Sequence, residues 1–267
     1  MTVFKDKTLV ITGAGDGIGR ATALLAARRQ AFVVLSDINL DGARETLRML
    51  EEAGGRGAAY RLDVTDRDAV FDHAAMVEAE HGGTDILINN AGLAMMLEVS
   101  RMTADQLERI MAVNFFGVVN GCQAFLPQLQ KAKGHIANIS SIFGLVAIPT
   151  QSAYNASKFA VVGFTEALRM EMKEFSVRVS HIHPGGIATQ IARRAVLPQE
   201  MDNAQSREDV QKDFSQFAHV TPEQAAATII RGMEKNKLRI LIGRDAIYVD
   251  ILRRLLPARY ERFLPFG

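Results

Sequence analysis

Cysteine is almost missing from this chain. Cys122 stands alone in 267 residues, so an intrachain disulfide is excluded. A lone thiol fits a reducing compartment. Charge of one sign is missing too. Lysine and arginine number 31 against 30 aspartates and glutamates, a formal net charge of +1. That balance gives no general attraction to nucleic acid or an anionic membrane. No uninterrupted apolar run reaches the roughly 18–20 residues that span a bilayer. The opening MTVFKDKTLVITG is too charged, and too short in apolar residues, for a secretory leader. There is no internal repeat, no low-complexity linker and no basic stripe or module for nucleic acid. His73, His81, His135, His181, His183 and His219 show no consistent ligand spacing, and no cysteine cluster accompanies them, so no metal site is expected. These absences lead to the expectation of a soluble cytoplasmic protein.

What is present is a regular alternation. Nearly half the residues are hydrophobic, enough for one large α/β domain, with two small ones the alternative. Short β-branched runs read as strands: TLVIT (8–12), FVVLSD (32–37), AAYRLDV (58–64), DILIN (85–89), HIANIS (135–140), VRVSHIH (177–183) and LRILIG (238–243). Helical stretches lie between them, at 17–29, 43–53, 66–80, 104–130, 154–174 and 222–235. Continuously apolar strands separated by helices imply a parallel sheet covered on both faces. The right-handed crossover rule then predicts a single-domain, doubly wound Rossmann fold, with seven parallel strands flanked by helices. Residues 1–245 form this domain. The polar segment 187–220 reads as a substrate lid, or otherwise as a solvated excursion. Residues 246–267 form a C-terminal extension.

The first strand-to-helix junction reads VITGAGDGIGRA, with Gly13, Gly17 and Gly19 spaced GxxxGxG. Such a turn lets backbone approach a pyrophosphate, which the N–H groups and dipole of the following helix attract. The second strand ends at Asp37. A carboxylate about 20 residues past the turn accepts hydrogen bonds from adenosine ribose hydroxyls and repels a 2′-phosphate. Asp16 adds negative charge, and no basic residue immediately follows Asp37. NAD is therefore expected over NADP. The plainer role for Asp37 is capping or solvation after a strand.

SAYNASKFA (152–160) places Tyr154 and Lys158 one helical turn apart, on one face. Taken alone, the pair reads better as two side chains of an ordinary amphipathic helix. The wider pattern decides between these. TGAGDGIG (12–19), LDV (62–64), NNAG (89–92), Asn114 in AVNFFG, NISS (138–141), YNASK (154–158) and PGGIAT (184–189) occur in order. Over residues 5–245 the chain resembles the classical short-chain dehydrogenases/reductases.

The resemblance implies a catalytic set of Asn114, Ser141, Tyr154 and Lys158. Tyr154 would be the proton acceptor, Lys158 its activator and a ligand of the nicotinamide ribose. Ser141 would bind the substrate oxygen, with Ser140 the rival, and Asn114 would hold a relay water. It implies a cofactor lying along Gly13, Asp16, Gly17, Ile18 and Gly19, with Asp37 at the ribose. Asp63 and Val64 would meet the adenine. Asn90, Ala91 and Gly92 would form the floor. Pro184, Gly185, Ile187 and Thr189 would lie about the nicotinamide. A phenol with pKa about 10 is a poor base at neutral pH, and a nearby ammonium is expected to lower that value.

Candidate pocket walls are Leu93, Ala94, Met95, Met96, Ile142, Phe143, Leu145, Ile148, Pro149 and Ile187, with Arg193 and Arg194 in the lid. This mostly apolar set suggests a hydrophobic secondary alcohol or ketone: a steroid, retinoid-like or fatty compound. The alternatives are an NADPH-dependent 3-ketoacyl reductase and a non-catalytic nucleotide sensor. The tail alternates apolar and basic residues and reads either as a membrane-surface helix or, preferably, as one packed on its own subunit or a neighbour. The resemblance implies a homodimer or homotetramer.

Overall fold

The computed structural model describes residues 2–191, 195–197, 208–209, 212 and 218–264. The β-branched runs form β1 (Thr8–Thr12), β2 (Phe32–Asp37), β3 (Arg56–Arg61), β4 (Ile86–Asn89), β5 (His135–Ile139), β6 (Arg178–Pro184) and β7 (Arg239–Ile242). They make one seven-stranded sheet in the order β3-β2-β1-β4-β5-β6-β7, every pair parallel. β1 lies inside the sheet between β2 and β4, with Val10 opposite both Val34 and Leu87.

Strand alternation sorts these side chains onto two faces. Leu9, Ile11, Val33, Leu35, Ile86 and Ile88 share one buried cluster with Ala23, Ala26, Ala225, Ile229 and Met233. The latter come from α1 (Gly17–Arg28) and α7 (Pro222–Glu234). Val10, Val34, Leu87 and Ile136 point the other way, into a cluster with Val77, Val118, Phe125, Val161 and Leu168. Those belong to α3 (Arg67–His81), α5 (Gly117–Ala132) and α6 (Ser152–Glu171). Burial on both faces is why the strands read as unbroken apolar runs.

Helix starts follow local chemistry. The Asn39 side chain accepts from Gly42 N–H at the start of α2 (Leu40–Glu52), and Asp66 accepts from Ala69 N–H at α3. Thr103 with Gln106, and Thr221 with Gln224, form capping boxes for α4 (Ala104–Met111) and α7.

Two elements differ from expectation. The third strand ends at Arg61, so Asp63 and Val64 lie in the following loop. The helix expected over 104–130 is interrupted by a π-turn at Ala112–Phe116, which carries Asn114 between α4 and α5. Nothing in AVNFF breaks a helix locally. Asn114 in that turn bonds both the N–H and the carbonyl of Leu93, and π-turns of this kind collect at functional sites.

The strand order reverses between β1 and β4, so the loops after them part and leave a crevice at the carboxyl edge of the sheet. At the chain's end, α8 (Arg244–Leu255) buries Ala246 and Val249 against Ile142, Leu145 and Val146. Ile247, Tyr248, Ile251 and Leu255 face outward and are exposed. The described tail thus packs one side on its own fold.

Candidate active site

A cleft of about 590 Å³ opens at the crevice. Its lining includes Gly13, Asp16, Gly17, Ile18 and Gly19 from the glycine turn, and Asp37 from the end of β2. Asp63 and Val64 line it after β3, Asn90, Ala91 and Gly92 after β4, and Thr189 after β6. Backbone contact dictates the glycines. A Cβ on Gly13 would lie 2.9 Å from Ala91 Cα, and one on Gly19 would collide with the Gly13 carbonyl. Gly17 has φ +51°, a left-handed conformation that favours glycine. Helix α1 begins without a side-chain cap from Asp16, so its first N–H groups and dipole face the cleft, as an anion requires.

The two loops are stitched together. Asn90 Nδ2 donates to the carbonyls of Thr12 (3.0 Å) and Gly13 (2.9 Å), while Thr12 Oγ1 accepts from Asn90 and Ala91 N–H. Asp37 is held by Gly15 N–H on Oδ2 and Asn39 N–H on Oδ1, each at 2.8 Å. Gly15 is required there too, because a Cβ would sit 2.8 Å from that carboxylate oxygen. Arg20 bonds the Gly15 carbonyl and, at 3.0 Å, Thr46 Oγ1. These residues fit a dinucleotide: a helix N-terminus for the pyrophosphate, glycine backbone beneath it, and a carboxylate one ribose away.

Past Gly92 the cleft meets a buried polar group. A Cβ on Gly92 would lie 3.2 Å from Asn114 Oδ1 and 3.5 Å from Lys158 Nζ. Asn114 Oδ1 accepts from Leu93 N–H at 2.8 Å, and its Nδ2 donates to the Leu93 carbonyl and to Ser157 Oγ. Lys158 Nζ donates to the Ile139 carbonyl at 3.1 Å and stands 5.7 Å from the centre of the Tyr154 ring. Ser141 Oγ accepts from Phe143 N–H at 3.1 Å, and its side chain lies close enough to the Tyr154 hydroxyl to favour the phenolate. Ser140 Oγ instead donates to the Lys158 carbonyl, which separates the rival serines by contact.

Asn114, Ser141, Tyr154 and Lys158 are all buried. Burial pushes the Tyr154 phenol up to about 12, opposed by the Ser141 hydrogen bond, and pushes Lys158 down to about 8. The expected lowering of the phenol is therefore not the resting condition. At this separation, loss of water outweighs the ammonium.

The family model for short chain dehydrogenases matches residues 7–200. The chain belongs to the short-chain dehydrogenase/reductase family. It is 44% identical over 275 residues to the oxidoreductase SadH of Mycobacterium tuberculosis, covering 100% of this chain and 97% of that one. A cyclopentanol dehydrogenase of Comamonas is 36% identical over 190 residues, 71% of this chain and 76% of the relative. A short-chain dehydrogenase/reductase from Burkholderia phymatum, solved with NAD, superposes with TM-score 0.86 at 27% identity, over 96% of each chain. A metagenomic relative solved with NADP gives 0.73 at 26%, over 90% of this chain and 98% of that one. The protein is thus an oxidoreductase of a family that takes nicotinamide cofactors, acts on small molecules and commonly assembles into oligomers.

Not every predicted residue reaches the cleft. Pro184, Gly185 and Ile187 are not among its lining, and neither are the buried Asn114, Ser141, Tyr154 and Lys158, which lie behind Gly92 and Leu93; the Ile187 side chain is buried in the core beneath α7. Met95 is a correction of the wall assignment. It is buried with Leu97, Ile110 and Ala153, filling core between α4 and α6. Ile142 and Leu145 are likewise taken up beneath α8. Leu93 and Ala94 do line the cleft, and Phe143 stands edge-on to Tyr154 at 6.3 Å. Arg193, Arg194 and most of the 187–220 lid lie outside the described residues. Val196, which is described, pairs with the Ala94–Met96 backbone.

The cleft also contains Ile38, Leu62, Thr65, Arg109 and Val113, which sequence reading missed. The last two are four residues apart, one helical turn, in the stretch that leads to Asn114. His181 and His183 are buried and bond each other, and His183 Nδ1 holds the Ser141 carbonyl at 2.8 Å.

Proposed function

We propose that this protein transfers hydride between NAD and a hydrophobic secondary alcohol or its ketone, such as a steroid, retinoid-like or fatty compound. The observation that carries the reading is the buried contact of Tyr154 with Ser141, one helical turn from Lys158 and bordered by Gly92 of the cleft. Bound NAD supplies the acceptor of the hydride, and NADH its donor. Ser141 binds and orients the substrate oxygen. In oxidation Tyr154 takes the hydroxyl proton; in reduction its phenol returns one. Lys158, as an ammonium, stabilises the phenolate, and Asn114 fixes the loop beside it through both bonds to Leu93. Burial excludes water from the group, and so strengthens each of these interactions.

Preference for NAD rests on Asp37. Its carboxylate is held at the cleft by two backbone N–H groups, where it favours ribose hydroxyls and disfavours a 2′-phosphate. Apolar Leu93, Ala94 and Phe143 support a hydrophobic substrate. The test is reduced-cofactor formation across short aliphatic, long-chain, steroid and retinoid secondary alcohols, with NAD and NADP in parallel. Turnover of an apolar class with NAD alone supports the reading. Preference for NADP removes Asp37 from its role, and NAD binding without turnover of any alcohol removes the catalytic assignment.

A further inference from the structure

The turn after β6, PGGIAT, is held by a residue far along the chain. Gly186 N–H donates to Asp245 Oδ2 at 2.7 Å, across 59 residues of sequence. Gly185 N–H donates to the Ile242 carbonyl at 2.9 Å. A Cβ on Gly185 would collide with the Asp245 carboxyl group, and one on Gly243 would collide with its Oδ1. Two glycines thus clear the space that one carboxylate fills. Gly243 has φ +100°, which favours glycine independently.

Asp245 lies in the first turn of α8, where the helix dipole favours a negative charge. The same helix packs Ala246 and Val249 on Ile142, Leu145 and Val146, the segment that follows Ser141. Tyr260 Oη, beyond the helix, accepts from Ala147 N–H at 3.2 Å. Helix α8 and the segment after it therefore brace both the turn after β6, through Asp245, and the chain leaving Ser141.

We propose that Asp245 is a positioning residue: through Gly186 it fixes the turn that carries Thr189 into the cleft beside Gly17, and with it the nicotinamide half of the bound dinucleotide. This rests on the dinucleotide reading above. The carboxylate meets no reacting atom. It adds a charged anchor to a two-glycine turn that is otherwise tied by backbone bonds to Ile242 and Val220, and without it the cofactor would have to order more of that turn on binding.

The experiment compares NADH, which has both halves of the dinucleotide, with ADP, which has only the adenosine half. Dissociation constants are measured for wild type, Asp245→Ala and Asp245→Asn. Loss of a hydrogen bond to a charged group predicts NADH binding weakened about tenfold in Asp245→Ala, with ADP binding changed less than about twofold. Asp245→Asn keeps an acceptor and the size but not the charge, and is expected to weaken NADH about threefold, again selectively. It decides the question alone if the alanine variant does not fold. NADH and ADP weakening together would show general loosening and overturn the proposal, as would no change in either. Wild type that binds neither ligand overturns the dinucleotide reading itself. Wild type that binds NADH, with silent variants, overturns only the positioning role.

Discussion

Lys158 sits where its charge is costly, and the cost can be measured. Its side chain is buried, and its ammonium donates to the Ile139 carbonyl. Burial lowers its pKa from 10.5 to about 8. At 1.36 kcal/mol per pH unit, this corresponds to about 3 kcal/mol by which the folded protein disfavours the ammonium relative to the unfolded chain. Proton counting gives the sign. Below about pH 8 both states carry the proton, and the full penalty is present. Between about 8 and 10.5 the unfolded chain binds more protons, so stability rises with pH. Above 10.5 neither state carries the proton and the penalty is gone.

Lys158→Met removes the charge and keeps the length. It also removes the bond to Ile139, worth about 1 kcal/mol. The variant is therefore expected to be about 2 kcal/mol more stable than wild type at pH 7, with the advantage gone by about pH 10. Urea unfolding followed by circular dichroism measures both ends. Turnover should collapse in the same variant, the trade expected where function needs a charge that the fold resists. A variant less stable than wild type at pH 7 refutes the reasoning, because the ammonium would then be compensated by more than one carbonyl.

Other outcomes follow from the same contacts. Tyr154→Phe keeps the ring's packing against Phe143 but removes the proton acceptor, so kcat should fall about 10²–10⁴-fold with NADH affinity retained. Turnover within about tenfold of wild type would remove Tyr154 from that role. Because burial holds the phenol near 12, wild-type alcohol oxidation should climb with pH through the neutral range, whereas ketone reduction needs the phenol already present. A level oxidation profile would contradict this. Gly19→Ala should destabilise by about 1–3 kcal/mol and abolish cofactor binding. Its Cβ would strike the Gly13 carbonyl and lie 2.6 Å from Asn90 Nδ2, which a thermal melt and an NADH titration would register.

Local pattern carried much of this protein. Strand runs, the glycine turn, the carboxylate ending β2 and the Tyr154–Lys158 spacing are short-range features, and each is set by backbone sterics or helical periodicity. They place the glycine turn and Asp37 at one edge of a doubly wound sheet. Contacts between distant segments could not be read the same way. AVNFF has no local breaker, so the π-turn at Asn114 emerges only once Leu93 is beside it. Met95 and Ile187 look like pocket walls in sequence, yet the packing of α4, α6 and α7 draws them into the core. Asp245 lies 59 residues from the glycine it holds, with no period linking them.

The protonation states of Tyr154 and Lys158 were least legible of all. Residue spacing gives the distance between two charges, but desolvation depends on every element packed around them. Only the assembled structure reveals that burial, rather than the neighbouring ammonium, governs the resting pair.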